Sequence, residues 1–218
     1  MRKGLIIRIA AVVVIVGSLA SIFLSLNGLP PSTDSQIHRA AGRALAKEVL
    51  SRLREDGQVL VITRDTVNFK QPAAEMLLDS LESELRDAHA KIRMTRTIAV
   101  DPLRLMEVPS GDFMEMIRAA PSGSVVVSLL GPPMLTEPQR SALGEVKAKI
   151  VAFCPGGIPA QVDLRLVFAQ HLLDAAIVSR RIPSPASSKN PQGEFERFFR
   201  VVTAANVGSL YASAAAPP

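Results

Sequence analysis

The sequence predicts an α/β domain preceded by an N-terminal membrane segment. Residues 5–26 are apolar almost throughout. From residue 58 to residue 182, short apolar runs rich in Val and Ile alternate with amphipathic stretches of helical period. Hydrophobic residues make up 48% of the 218-residue chain and aromatic residues only 4%. A disordered chain is therefore excluded, and the core must be built mainly from aliphatic side chains.

Residues 5–26 predict a single membrane-spanning helix. The stretch reads LIIRIAAVVVIVGSLASIFLSL, and ~20 apolar residues are enough for a helix to cross the bilayer. Arg2 and Lys3 precede it and Arg8 lies near its start, whereas the next basic residue is Arg39. This charge distribution predicts a cytoplasmic N-terminus and a periplasmic domain on a bacterial inner membrane.

A cleaved signal peptide is the alternative for the same stretch. Residues 1–4 would be its basic start, and residues 18–20, Ser-Leu-Ala, supply the small side chains of a cleavage site. The apolar character continues to Leu26, beyond the ~7–15 residues usual for the apolar core of a signal peptide. The length therefore favours an uncleaved anchor over residues 1–27.

The extracytoplasmic domain is predicted to span residues 34–218. Pro30 and Pro31 end any continuation of the membrane helix, so residues 28–33 predict a short linker. A helix over residues 34–55 follows, because apolar residues recur there in steps of four: Ile37, Ala41, Leu45, Val49 and Leu53. This stripe either packs on the domain or, as the alternative, binds a partner.

Five strands and four helices alternate in the next part of the chain. The predicted strands are residues 59–62, 92–100, 125–130, 149–154 and 175–179, and the predicted helices are residues 71–90, 111–120, 137–147 and 162–173. The second strand alternates apolar with basic or hydroxyl residues, which is typical of a sheet edge. The third strand, which starts with three valines, is predicted to be central.

Strands joined by helical crossovers form a parallel sheet with helices on both faces, so the pattern predicts a Rossmann-like (flavodoxin-like) architecture. Residues 194–212 predict a C-terminal helix that contains Phe195, Phe198 and Phe199. This helix either covers one face of the sheet or lies in a partner's groove.

Three segments within residues 58–182 carry a resemblance to a known family: VLVITRDTVNFKQPAAEMLLDSLESELRD, SVVVSLLGPPML and KIVAFCPGGIP. They resemble the first lobe of type I periplasmic binding proteins, the solute-binding components of ABC transporters and their sensor relatives. The resemblance implies a sheet order of 2-1-3-4-5 and a ligand enclosed between two lobes. Roughly 36 residues follow the fifth strand, fewer than the ~100 of a second lobe, so closure around a ligand would need another chain.

Open parallel sheets bind ligands at the carboxyl ends of their strands. The candidate ligand-binding residues are therefore those that follow the first, third and fourth strands: Arg64, Asp65 and Thr66, then Gly131 and Pro132, then Cys154, Gly156 and Gly157. Arg64 would pair with an anionic group, and Asp65 would accept hydrogen bonds from hydroxyls or an amine. A structural Arg–Asp interaction and a tight loop are the alternative.

The sequence lacks the motifs of the common catalytic sites. G-x-G-x-x-G, G-x-x-x-x-G-K-[ST], G-x-S-x-G and S-x-x-K are all absent. His38, His89 and His171 are too far apart for a zinc-binding helix, and Cys154 is the only cysteine. We therefore expect no enzymatic activity, no cofactor and no metal. The net charge of +5 includes three basic residues in or beside the membrane segment, so it does not indicate nucleic-acid binding.

These observations predict a non-catalytic, membrane-anchored accessory or assembly subunit of a larger membrane complex. Its predicted partners are the bilayer, through residues 5–26, and other subunits, through Ile37, Leu45, Phe195, Phe198 and Phe199. The alternative is a single-lobe solute-binding or sensory module with a small-molecule ligand. An enzyme on the same sheet is a third possibility, because such folds host many chemistries.

Overall fold

The computed structural model describes residues 14–18, 34–67, 70–99, 108–132, 134–180 and 191–212. The chain divides into two compact units between Ser35 and Gln36. The α/β domain belongs to the second unit, and the elements below are those of the described ranges.

The predicted membrane-spanning helix lies largely outside the described residues. Of residues 5–26, the structure describes residues 14–18, which are helical. In the described ranges, no helix has both the length and the apolar character required to cross a membrane. The predicted linker, residues 28–33, lies outside the described part of the chain as well.

One mostly parallel sheet organises the domain. Its six strands are β1 (Val59–Arg64), β2 (Ile92–Ile98), β3 (Val125–Ser128), β4 (Lys149–Cys154), β5 (Ala175–Ser179) and β6 (Phe199–Val202). Their order across the sheet is β2-β1-β3-β4-β5-β6, and only β6 runs antiparallel to its neighbour. The five parallel strands therefore lie in the sequence 2-1-3-4-5, and the observed sheet differs from the predicted one by the added sixth strand.

Helices cover both faces of this sheet. They are α1 (Asp34–Leu50), α2 (Pro72–Asp87), α3 (Ser110–Ala119), α4 (Glu137–Leu143), α5 (Ile158–Gln161), α6 (Leu164–Ala169), α7 (Pro191–Phe198) and α8 (Ser209–Ala212). Several are shorter than predicted: α1 ends five residues early, and the predicted helix over residues 162–173 is shortened to α6, with the additional helix α5 before it. Asp163 separates these two helices, because its side chain caps α6 by accepting a hydrogen bond from the Arg165 backbone N–H.

The predicted C-terminal helix over residues 194–212 is wrong. The chain leaves the helical conformation after Phe198, and residues 199–202 pair with β5 as strand β6. The pairing satisfies the backbone groups at the edge of β5, which a helix would leave without partners. Arg180 stabilises the change of direction, since its Nε donates to the carbonyl oxygens of Glu196, at 2.7 Å, and Phe199, at 3.1 Å.

Two hydrophobic cores lie on opposite faces of the sheet. Leu60 and Ile62 of β1 belong to the first core, together with residues of α3 and α6. Val59 and Val61 belong to the second core, which packs against α1 and α2. Side chains of a strand alternate between the two faces of the sheet, so the even-numbered and odd-numbered residues of this part of β1 join different cores.

The residues predicted to bind a partner all pack on the second core. Leu45, Phe195 and Phe199 are buried in it, and Ile37 and Phe198 are partly buried against it. Phe199 of β6 also contacts Phe153 of β4 within this core, with ring centroids 5.6 Å apart. The three buried residues therefore pack within the domain, and their side chains are not available to another protein.

The positions of β2 and β3 are as the sequence predicts. The strand β2 lies at one edge of the sheet, and most of its residues are at least partly exposed. The strand β3 pairs on both sides, with β1 and with β4, and all four of its residues are buried. A strand covered on both faces must be apolar throughout, which is why the valine run marks the centre of the sheet.

We expect Leu81→Ala to destabilise the domain by ~2–5 kcal/mol, because Leu81 is 0% exposed and the truncation leaves a cavity. Leu166→Ala is the matched control: Leu166 is also helical but 58% exposed, so its loss should change stability by at most ~0.5 kcal/mol. The measurement is the free energy of unfolding in urea. Equal losses for the two variants would contradict the described packing.

Candidate functional site

A pocket opens at the carboxyl ends of β1, β3 and β4. Its volume is about 200 Å³, and it is lined by His38, Thr63, Arg64, Gln71, Ala73, Ala74, Leu77, Leu129, Leu130, Phe153 and Pro155. The neighbours of β1 are β2 on one side and β3 on the other, so the direction of the sheet order reverses beside β1. Open α/β sheets bind their ligands at such a switch point. We call this cavity the carboxyl-edge pocket.

The sheet register brings the lining residues together. Ile62 of β1 pairs with Ser128 of β3, and Ser128 pairs with Ala152 of β4. The residues that come next along the three strands therefore emerge side by side at the carboxyl edge. The N-terminal half of α1 supplies His38, and the first turns of α2 supply the remaining wall.

The interior of the carboxyl-edge pocket is apolar. Leu77, Leu129, Leu130 and Phe153 are buried side chains that belong to the two cores and also line the pocket. The alanines at the start of α2 leave the space between them open, because their side chains are a single methyl group. The pocket can therefore enclose an apolar group of a ligand, the usual lining of a small-molecule site.

Thr63 is the most buried polar residue of the described lining, with 5% of its surface exposed. Its hydroxyl is one of the few polar groups in the described lining. The Thr63 side chain thus offers one donor and acceptor to whatever occupies the pocket.

Arg64 and Gln71 form a polar contact at the rim of the pocket. The Arg64 Nη1 donates a hydrogen bond to the Gln71 Oε1. Gln71 precedes the first turn of α2, and its carbonyl oxygen accepts from the backbone N–H groups of Ala74, at 2.9 Å, and Glu75, at 3.1 Å. The guanidinium and the start of α2 therefore lie on the same side of the pocket. The guanidinium carries a full positive charge, and the start of the helix carries a partial positive charge.

Asp65 and Thr66, also predicted from the sequence, follow Arg64 but are not among the described lining residues. The Asp65 Oδ1 accepts a hydrogen bond from the Val67 backbone N–H at 2.9 Å, which closes a local turn. In the described part of the chain, the Arg64 side chain donates a hydrogen bond to Gln71. Of these three candidates, the structure brings Arg64 to the pocket.

Gly131 and Pro132 turn the chain after β3. Gly131 has a φ of +98°, which favours glycine, and its carbonyl oxygen accepts a hydrogen bond from the Ser128 hydroxyl at 2.6 Å. A Cβ at this position would lie 3.1 Å from Ile158 Cδ1. The packing requires glycine here, and the residues of this segment that line the pocket are Leu129 and Leu130.

Gly156 and Gly157 are exposed and lie beside β5 rather than in the described lining of the pocket. The Gly156 backbone N–H donates to the Ser179 hydroxyl at 3.1 Å. The loop after β4 therefore reaches the pocket only through Pro155, while Phe153 reaches it from the strand itself.

Cys154 is 0% exposed and belongs to the first core, whereas its neighbour Phe153 belongs to the second. Its side chain therefore points away from the carboxyl-edge pocket. Burial raises the pKa of the Cys154 thiol far above its usual range. A neutral, enclosed thiol is a poor nucleophile and a poor metal ligand, so Cys154 has a packing role.

The sequence pattern missed Thr63, Gln71, His38 and Phe153 as pocket residues. A signal for Thr63 was present, because it is the first polar residue after four consecutive apolar residues of a buried strand. The sequence pattern offers His38 only as a possible metal ligand. Among the described residues, no group of three or more His, Cys, Asp or Glu side chains is placed to hold a metal.

We expect the Cys154 thiol to react with 5,5′-dithiobis(2-nitrobenzoate) only when the domain opens. Labelling of the folded chain at mildly alkaline pH should be on the order of 100-fold slower than labelling in denaturing urea, because burial blocks access and suppresses the thiolate. Rapid labelling of the folded protein would show that Cys154 is accessible and contradict its place in the core.

The raised pKa of Cys154 also predicts a pH dependence of stability. Below about pH 8.5 the thiol is protonated in both states and contributes nothing to the slope. Above this pH the unfolded thiol ionises and the folded one does not, so the free energy of unfolding falls by up to ~1.4 kcal/mol per pH unit. Urea unfolding between about pH 8 and pH 10.5 should show a steeper loss for the natural chain than for Cys154→Ala. Identical slopes would refute the prediction.

The fold is similar to that of sugar-binding proteins of ABC transporters. AraP, an arabinose-binding protein from Geobacillus stearothermophilus, aligns with a TM-score of 0.52 and 16% identity over 80% of this chain and 63% of its own. A sugar-binding protein of a sugar ABC transporter from Bacillus halodurans aligns with a TM-score of 0.50 and 12% identity over 80% of this chain and 64% of its own.

The chain thus spans less than two thirds of the length of these neighbours. No protein-family model matches the sequence, and no curated protein matches it. The neighbours confirm the resemblance to type I periplasmic binding proteins as a likeness of fold.

Proposed function

We propose that this chain is a single-lobe solute-binding module that takes a small solute into the carboxyl-edge pocket. The observation that carries the proposal is the position of this pocket at the switch point of the sheet, with the buried Thr63 hydroxyl on its wall. The fold likeness to periplasmic sugar-binding proteins supports the same function. We assign the module a binding role without chemical conversion of the solute.

The site supports solute binding better than the accessory-subunit role that the sequence predicts first. That role depends on exposed apolar side chains at Leu45, Phe195 and Phe199, and these are used within the domain. The carboxyl-edge pocket, by contrast, is an unfilled space between packed elements. Attachment of the module to the bacterial inner membrane through residues 5–26, with the domain in the periplasm, remains a proposal from the sequence.

A single lobe can bind a solute on its own when the pocket lies within the lobe. The carboxyl-edge pocket has this property, because α1 and α2 close it from the sides and the strand ends form its floor. In a two-lobed binding protein the second lobe would add the opposite wall. We propose that a partner protein that contacts this edge of the sheet senses the occupied pocket.

The test is a thermal-shift screen of the purified full-length protein with pentoses, hexoses, myo-inositol, amino acids and short-chain carboxylates. A solute at 100 times its Kd should stabilise the folded state by ~2.7 kcal/mol, which corresponds to a rise in Tm of several degrees. Ala74→Leu should abolish the shift, because the larger side chain enters the pocket from α2.

Ala119→Leu is the matched control, since Ala119 is an exposed helical residue at the end of α3. This variant should retain the full shift. If no solute raises the Tm, or if Ala74→Leu and Ala119→Leu respond alike, the proposed function is wrong.

A further inference from the structure

We propose that the solute of the carboxyl-edge pocket is a small carboxylate with a compact apolar body. This inference rests on the proposed function and names the chemical class of its ligand. It depends on three features of the pocket: its size, the apolar character of its interior, and the positive charge at its rim.

The size of the pocket sets the size of the ligand. A volume of about 200 Å³ equals the liquid volume of roughly six or seven water molecules at ~30 Å³ each. This space holds a molecule of about the size of a five-carbon carboxylic acid. A peptide or a lipid with a long acyl chain is too large to be enclosed.

The interior selects an apolar body. The deep side chains of the lining are Leu77, Leu129, Leu130 and Phe153, and none of them can form a hydrogen bond. A sugar of the same size carries hydroxyl groups around its whole ring, and each buried hydroxyl must find a partner to avoid a cost of ~1–3 kcal/mol. Against this wall most of them would find none. This apolar part of the described lining is therefore unsuited to a sugar, despite the likeness of fold.

The rim selects a negative charge. Arg64 brings a guanidinium to the lining, and the first turn of α2 adds the partial positive charge of a 16-residue helix. No Asp or Glu is present among the described lining residues. The nearest acidic residues in the chain are Asp65, whose Oδ1 is bound by the Val67 N–H, and Glu75, which is exposed. An ammonium group would therefore meet no carboxylate in the described lining, whereas a carboxylate would meet the Arg64 guanidinium.

Thr63 completes the recognition of the polar end. Thr63 is 5% exposed, lines the pocket and directly precedes Arg64 in the chain. A carboxylate has two acceptor oxygens, so one oxygen can accept from the Thr63 hydroxyl while the other faces the guanidinium. The apolar body of the ligand then lies against Leu130 and Phe153.

Isothermal titration of the full-length protein compares three probes: 3-methylbutanoate, its neutral analogue 3-methylbutanamide, and L-arabinose. The first two have the same shape and differ in charge. We expect 3-methylbutanoate to bind, the amide to bind at least tenfold more weakly, and L-arabinose to give no heat of binding at the same concentration. Ala74→Leu should eliminate the binding of 3-methylbutanoate.

Thr63→Val separates recognition from folding. It keeps the shape of the side chain and removes the hydroxyl, and its Tm is measured beside that of the natural chain so that a loss of folding is recognised. The affinity for 3-methylbutanoate should fall at least fivefold. Thr95→Val, at an exposed position of β2, is the control and should leave the affinity unchanged.

The outcomes distinguish this inference from the proposed function. Binding of L-arabinose that Ala74→Leu abolishes, without binding of 3-methylbutanoate, overturns the ligand class and leaves the proposed function standing. Equal affinities for the carboxylate and the amide overturn the role of the positive rim. If none of the probes and no solute of the wider screen binds, both proposals fall.

Discussion

The parallel pairing of β1 with β3 and of β3 with β4 is the constraint on which the rest of the structure depends. These strands are buried on both faces over most of their length, so most of their side chains are apolar and helices cover them on each side. Their shared direction brings three chain segments to one edge of the sheet. The carboxyl-edge pocket lies where these strands end, beside residues near the starts of α1 and α2.

The centre of the fold was predictable from the sequence because its signals are local. The apolar runs of β1 and β3 are typical of buried strands, and the charged alternation of β2 suits an edge. β6 was missed for a physical reason. Residues 199–202 continue the apolar pattern of α7, and only the open edge of β5 decides that they form a strand.

The site was predictable in its position but only partly in its residues. The rule that ligands bind at strand ends identified Arg64 and the three loops. It could not show that Gly131 serves the turn, since that depends on a positive φ and on the closeness of Ile158. Nor could it show which of Phe153 and Cys154 faces the pocket. Successive side chains of β4 point to opposite faces of the sheet, and one known core contact is needed to decide which face each of them joins.

A fold shared with sugar-binding proteins does not require a sugar as ligand, because the fold provides the position of a site and the side chains provide its chemistry. In this chain the position is the switch point, and the chemistry is an apolar floor with Thr63 and Arg64 at one end. The same side chains that line the pocket also fill the second core, so binding and stability share Leu77 and Phe153.

The most direct test of this account is to map amide chemical shifts of the ¹⁵N-labelled full-length protein during titration with 3-methylbutanoate. The account predicts saturable shifts centred on Thr63, Arg64, Ala74 and Leu130, at the carboxyl edge of the sheet. Shifts centred on the opposite end of β1 and β2, around residues 89–93, or scattered over the surface would contradict it.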